Sequence, residues 1–320
     1  MTFFCGEKYF NPVKIFAALN LKKISGFRSR TRQGNHLLGI CLILISAAAF
    51  GAMAIFAKFA YLSGISTNSL LFLRFSIAVA IMLPIALLQK RKFPNGKDFY
   101  MLIAMGAIGY AGVSYCYFKA LTLIPPSLVA ILLYLYPIFV AILSILFLNE
   151  IFTKNKFFAL FLAISGTILV IGFNTSGNIK GIMLGIGAAL IYSVYTIVGA
   201  RLMKQNDIFT STLVVIGSAA CVYFLYNIKS GFFFPKTISF WMNTMAIAII
   251  STAAAIYTYF HGMRLSGAVN AAMLSTFEPV TTMVLASVFL GQHIGWLQIT
   301  GTALILTSAV LVAANSKAVH

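Results

Sequence analysis

Ten apolar runs of about twenty residues follow one another along this chain, at 37–57, 69–88, 99–118, 126–148, 157–173, 181–200, 208–228, 238–260, 267–290 and 294–314. A helix rises 1.5 Å per residue, so a run of this length crosses the ~30 Å hydrocarbon core of a bilayer. The expected fold class is therefore an all-α membrane protein with ten transmembrane helices. The connections between runs are too short to hold a separate soluble domain. Composition agrees: 61% of residues are hydrophobic and 9% charged, with a mean hydropathy of +0.97. A soluble domain carries nearer half apolar and a quarter charged residues, so lipid is the solvent this chain requires.

The formal net charge of +18 invites a nucleic-acid reading, but the basic residues sit in short groups between the apolar runs, seven of the 23 in the N-terminal tail. That placement sets topology rather than building a groove. With the N-terminus cytoplasmic, seventeen of the 23 fall on the cytoplasmic side: the tail, Lys90 to Lys92 with Lys97, Lys154 and Lys156, Arg201 and Lys204, Arg264, and Lys317. Lys58, Lys119, Lys180, Lys229 and Lys236 fall outside, and Arg74 lies within a run. Short loops rich in Lys and Arg stay inside, so both termini are expected in the cytoplasm of a cell whose inner membrane holds the protein. An odd number of spans would break the pattern.

Other classes find little support. Cys5, Cys41, Cys116 and Cys221 are far apart and make no CxxC pair, against zinc and redox sites. The stretch Ile15–Leu21 is broken by Asn20 and is too weak for a signal-peptide core. The Arg-rich tail fits either a cytoplasmic segment lying on anionic lipid or organelle targeting. There is no HExxH, no Ser-plus-base arrangement and no GxxxxGK[ST] loop, against a membrane enzyme or a nucleotide-driven pump.

The chain also repeats itself. At an offset of 142, Pro137 falls on Pro279, Tyr117-Phe118 on Tyr259-Phe260, and Leu121-x-Leu123 on Met263-x-Leu265. Gly39 meets Gly181, Ala130 meets Ala272, Leu132 meets Leu274, and Phe147-Leu148 meets Phe289-Leu290. Beyond a loop shortened by seven residues, 162–167 resembles 297–302. Four segments follow: a basic cytoplasmic tail at 1–36, five-helix repeats at 37–173 and 181–314, and a C-terminal tail at 315–320. Five is odd, so the second repeat runs through the bilayer in the opposite sense. Such inverted repeats mark secondary transporters, with substrate bound near the midplane between the halves.

The stretch from Tyr117 through Pro125-Pro126 to Tyr136-Pro137, continuing to Leu148-Asn149-Glu150, resembles the signature of EamA-like transporters in the drug/metabolite transporter superfamily. The stretch from Gly267 through Glu278-Pro279 to Leu290-Gly291 is similar to the same element, and Leu73-Arg74-Phe75 to the family's Arg-Phe pair in the second helix. The resemblance covers roughly 37–314. It implies a 5+5 inverted arrangement around a cavity lined by the first, third and fourth helices of each half. It further implies export or exchange of amino acids or related metabolites. The copies differ where Tyr136 stands against Glu278, and Glu150 against Gln292, so a mechanism needing an acid in both halves does not carry over.

Glu278 is the sharpest candidate residue. It falls near mid-run, where an ionised acid costs several kcal/mol unless paired or solvated. Glu7, Asp98, Glu150 and Asp207 all fall in tails or loops by this reading. Helical spacing sets Ala271, Ser275, Glu278 and Thr282 on one stripe, facing a cavity or another helix rather than lipid. Glu278 either binds a substrate amine or coupling proton, or is a protonated structural residue. Pro137 and Pro279 break matched helices, as hinges or as packing kinks. Arg74 either meets substrate or a counter-charge, or snorkels to the headgroups. Tyr134 and Tyr136 are too near mid-run for an interfacial belt and suit a cavity wall; His261, Trp241 and Trp296 suit the membrane surface. Gly106, Gly109, Gly181, Gly185 and Gly187 are expected to permit close helix contact.

The expected substrate- or proton-binding residues are thus Glu278, Arg74, Tyr134, Tyr136, Ser275 and Thr282, with Pro137 and Pro279 as hinges. No catalytic residue, metal or cofactor is expected, and no nucleic-acid partner. The partners are lipid, a small metabolite and, with coupling, protons; oligomeric state is not read from the sequence. The expected function is secondary or facilitative metabolite transport, by export or exchange. Uptake on the same fold, or a non-transporting sensor or assembly partner, are the alternatives.

Overall fold

The computed structural model describes residues 12–314 apart from 122, 125, 152, 173–177, 233 and 292. The first eleven residues of the basic tail and the segment 315–320 lie outside the described residues. Fourteen α-helices follow in order: α1 (Pro12–Tyr61), α2 (Thr67–Leu88), α3 (Gly96–Ala104), α4 (Ala111–Leu121), α5 (Pro126–Leu133), α6 (Tyr136–Leu148), α7 (Lys154–Ile171), α8 (Ile179–Leu202), α9 (Ile208–Ser230), α10 (Ile238–Ala248), α11 (Ala255–Ser266), α12 (Ala268–Leu274), α13 (Glu278–Leu290) and α14 (Trp296–Ala314). Among the described residues nine stretches are long and apolar enough to span a bilayer, and Trp296–Val312 is a shorter tenth. The chain is a multi-pass membrane protein embedded in lipid.

Pairs of these helices are single spans interrupted at mid-membrane. A π turn, Met105–Tyr110, joins α3 to α4, and another, Ile249–Ala254, joins α10 to α11. Two non-helical residues separate α5 from α6, and a 3-10 turn, Ser275–Phe277, separates α12 from α13. Both breaks in the fourth and ninth spans have Pro in the first turn of the following helix, where the missing N–H of Pro137 or Pro279 costs least. The interruptions recur at corresponding places, so the repeat extends to the irregularities.

Polar residues set the helix starts. Ser66, Thr153, Asn178 and Asp207 each accept a hydrogen bond from a backbone N–H of the first turn of α2, α7, α8 and α9, as N-caps do. Asn149 and Gly291, 142 residues apart, end α6 and α13 in the left-handed conformation, which Asn and Gly adopt most cheaply. One expectation needs correction. Asp98 belongs to the first turn of α3 rather than to a loop, where its charge opposes the positive end of the helix dipole. The helix of the first span, α1, runs unbroken from Pro12.

Packing runs mainly between the halves. The first span packs against α10, α11, α12 and α13 of the second half, and α8, its counterpart, against α4, α5 and α6 of the first. α2 lies against α9, and α7 against α14. The contacts repeat with the sequence offset: a Cβ on Gly39 would lie 2.9 Å from Leu265 Cβ, and one on Gly181 2.9 Å from Leu123 Cβ. The equivalent residues Gly166 and Gly301 face each other, so the twofold axis relating the halves passes between α7 and α14. A Cβ added to either would lie 2.6 Å from the other's carbonyl oxygen. Without glycine at both positions these backbones cannot come so close. Gly187, expected among such contacts, has nothing within 4 Å of its Cβ position.

The turns between α2 and α3, α6 and α7, α8 and α9, and α11 and α12 share one side of the molecule, termed here the basic face for its Lys and Arg residues. Asp98, Glu150 and Asp207 lie there too. Arg91 pairs with Asp207 at 3.2 Å, and Asn206 donates to Asp98 at 2.7 Å.

Candidate functional site

Arg74 projects from α2 into the protein and is 5% exposed, which overturns snorkelling to the headgroups. Its Nε donates to Thr252 Oγ1 at 2.6 Å, and its Nη2 to the Tyr110 hydroxyl at 2.6 Å. Its guanidinium carbon lies 4.8 Å from the ring centre of Phe75 and 5.7 Å from that of Tyr110. The two oxygens come from the two π turns: Tyr110 closes one, and Thr252 sits inside the other. A π turn inserts an extra residue and re-aims the side chains around it, a device common at functional sites. Thr252 Oγ1 donates its own hydrogen to Ile247 O at 2.9 Å, leaving its lone pairs for Arg74. The guanidinium is thus oriented by neutral partners and aromatic faces. Among the described residues the ion pairs are Arg91 with Asp207 and Lys156 with Glu150, so no carboxylate touches Arg74.

Glu278 opens α13 directly after the 3-10 turn and is half-buried. The Tyr134 hydroxyl is within hydrogen-bonding reach of its carboxyl group, and Arg74 is close enough to act on it electrostatically. Tyr134 occupies the break between α5 and α6 and is buried. The acid and its phenolic partner thus come from the interrupted spans of opposite halves. The first span reaches the same point, where a Cβ on Gly51 would lie 2.7 Å from the carbonyl oxygen of Glu278.

A series of tyrosines connects the two charged residues. Tyr136 packs on Tyr192 with ring centres 4.5 Å apart; Tyr192 lies 5.8 Å from Tyr195, and Tyr195 lies 5.8 Å from Tyr110. Tyr136 donates to Ala272 O at 3.2 Å, bracing the fourth span against the ninth. The Tyr259 and Thr196 hydroxyls share a hydrogen bond of 3.2 Å beside this series.

The remaining expected residues divide. Ser275 lies beside Tyr136 and donates to Ala271 O at 2.9 Å. Thr282 donates to Gly51 O at 3.0 Å and to Glu278 O at 3.2 Å, fastening α13 to the first span. Tyr134, Tyr136, Ser275 and Glu278 therefore gather in one place. Thr282 stands one turn away as a brace, and Arg74 lies at the far end of the tyrosines. His261 is half-buried with its ring 5.8 Å from that of Tyr257, while Trp241 and Trp296 are exposed, Trp296 at 83%. Sequence reasoning passed over Thr252. Its cue is slight: Ser251-Thr252 is a hydroxyl pair within an apolar run, and a π turn leaves no mark on helical spacing.

A duplicated ten-span bundle, with broken helices meeting around a half-buried acid and a buried base, is the architecture of a membrane transporter. The family model of the EamA-like transporter family matches residues 37–172 and again 179–314. The chain therefore belongs to that family, whose members carry small metabolites. It is 26% identical over 281 residues to the uncharacterized transporter YyaM of Bacillus subtilis, covering 84% of this chain and 92% of the relative. It is 25% identical over 301 residues to the riboflavin transporter ImpX of Fusobacterium nucleatum, covering 86% and 97%. It is 25% identical over 189 residues to the aromatic amino acid exporter YddG of Ancylobacter novellus, covering 56% and 64%.

Proposed function

We propose that this protein is a secondary or facilitative carrier of small zwitterionic metabolites with an apolar or aromatic body, amino acids above all. Its direction is export or exchange across the inner membrane, with the basic face and both termini in the cytoplasm. The observation that carries the reading is the pair of opposite charges inside the bundle, Arg74 and Glu278, near one another but not joined, with tyrosine rings between them. A substrate carboxylate suits the guanidinium, which binds planar anions in a fork. A substrate amine suits Glu278, and ring faces suit a cation or an aromatic side chain. Tyr134, Tyr136 and Ser275 form the wall near the acid, and Thr282 supports it. Pro137 and Pro279 mark the hinges about which the fourth and ninth spans bend. The repeats 37–173 and 181–314 are the units that exchange conformation. Support for aromatic substrates comes also from the names borne by two of the relatives.

Glu278 is the group for a coupling proton, being the acid placed among these side chains. The test is flux in proteoliposomes under an imposed pH gradient, with a panel of amino acids as counter-substrates. Glu278→Gln should abolish the response to the gradient while leaving the amount of folded protein unchanged. A variant that responds as the parent does removes Glu278 from coupling, and a parent that carries none of the panel removes the substrate class.

A further inference from the structure

The two halves are alike in fold, yet among the described residues the helix-to-helix packing that closes the fourth span on the ninth is on the basic face. α6, the half of the fourth span nearer the basic face, packs against α12, the corresponding half of the ninth. Under the repeat, the mirror of this contact would join α5 to α13; among the described residues those two form no such packed interface. Among the described residues, the packed closure between these spans therefore lies on the basic face. Glu150 sits at the closed end. Its Oε1 accepts from the backbone N–H of Ala268 at 3.1 Å, and its Oε2 accepts from Lys156 Nζ at 3.3 Å. It thereby ties the end of the fourth span and the start of the fifth to the first residue of the ninth. The Glu150 and Lys156 side chains are 22% and 20% exposed, so the tie is sheltered from water without being sealed. Tyr136 on Ala272 O, and Asn270 against His36 Nε2 at 3.4 Å, lie on the same side.

The sequence does not supply the mirror image of this tie. At the offset of 142, Glu150 corresponds to Gln292 and Ala268 to Pro126, a residue with no backbone N–H to give. Tyr136 corresponds to Glu278. The other acids of the basic face follow suit, Asp98 corresponding to Phe240 and Asp207 to Ile65. When the two halves exchange conformations, the protein gives up a charge-assisted hydrogen bond and an ion pair on the basic face and gains neither on the other.

We infer that Glu150 is a one-sided clasp, which makes the conformation closed on the basic face the resting state of the empty protein. The inference rests on the transporter reading for its purpose, but its test needs neither substrate nor flux. A ligand entering from the opposite face meets a site already open, whereas transit to the basic face requires the clasp to release. The exchange equilibrium is thereby biased by a residue outside the substrate site.

The test is a pair of distance distributions in the full-length protein in lipid nanodiscs, without ligand or gradient. Native cysteines are replaced by serine, and spin labels are placed at Lys154 with Arg264 on the basic face, and at Lys119 with His293 on the opposite face. Glu150→Ala should lengthen the first distance and shorten the second in a new population, raising the ratio of basic-face-open to basic-face-closed molecules roughly tenfold, the weight of one charged hydrogen bond. Glu150→Gln should do less, because its amide oxygen still accepts from Ala268 N–H. Installing the mirror tie with Pro126→Ala and Gln292→Glu in the parent should shift the ratio in the same direction. That variant keeps the inference testable if Glu150→Ala fails to fold. Distributions unchanged in Glu150→Ala, or, where that variant does not fold, in the mirror-tie variant, would overturn the clasp. Normal shifts in a protein that carries no metabolite would overturn the transporter reading alone.

Discussion

The crossing of α7 and α14 allows a sharp test of the pseudo-twofold fold. A Cβ placed on Gly166 would lie 2.6 Å from Gly301 O, 2.9 Å from Ile305 Cγ1 and 3.0 Å from Ile305 N. One on Gly301 would lie 2.6 Å from Gly166 O, 2.8 Å from Leu169 Cβ and 2.9 Å from Val170 N. Several of these partners are backbone atoms of a helix, which cannot rotate away as a side chain can. The two helices must therefore separate by several tenths of an ångström, and overpacking of this kind costs about 1–3 kcal/mol. Alanine recovers roughly 0.5–1 kcal/mol through its better helix propensity, so each single substitution should cost about 1–2 kcal/mol net. The separation that admits one methyl group also admits the other, so Gly166→Ala/Gly301→Ala should cost clearly less than the sum of the singles. Gly187→Ala is the internal control, because its Cβ meets nothing within 4 Å; it should be neutral or slightly stabilising. The assay is thermal unfolding of the purified protein in one detergent, read by retention of a monodisperse peak. Strictly additive losses, or single variants as stable as the Gly187 control, would refute the shared crossing.

Two further outcomes follow from buried polar contacts. Arg74→Lys should lower transport and stability together, because one ammonium cannot reach both Thr252 and Tyr110 as the guanidinium does at 2.6 Å each; losing one charged hydrogen bond costs about 1.5–3 kcal/mol. Unfolding and counterflow measurements identical to the parent's would contradict that geometry. Asn227, fully buried, accepts from Ser69 Oγ at 3.0 Å and donates to Asn68 O at 3.1 Å and Tyr223 O at 2.7 Å, so Asn227→Leu should cost about 1–3 kcal/mol and couple non-additively to Ser69→Ala in a double-mutant cycle.

Much of this molecule was legible in the order of its residues. Apolar run length announced the spans, and the matched prolines and glycines announced the duplication, because lipid and close backbone approach each tolerate few residue types. The lone acid in an oily run marked Glu278 for the same reason. Arg74 was harder to read: its place in the run leaves substrate contact and snorkelling both open, and only the π turns, which spacing does not reveal, bring Thr252 and Tyr110 to it. Tyr134 was picked out by depth, but its partnership with Glu278 depends on two helix breaks meeting across the halves, a relation between distant residues that one sequence does not display. Glu150 was noticed only as a mismatch between copies. Its partner is a backbone N–H, which every non-proline residue carries, so nothing in the alphabet of side chains pointed to Ala268.

The way each half's first span leans on its neighbour's third and fourth also bears on how this protein can be taken apart. Severing the chain in the connection before Ile179 would leave two five-span fragments, each with a leading helix whose seat is on the other piece. Neither fragment should persist alone in the bilayer, yet the pair, made in one cell, should find each other and restore the whole.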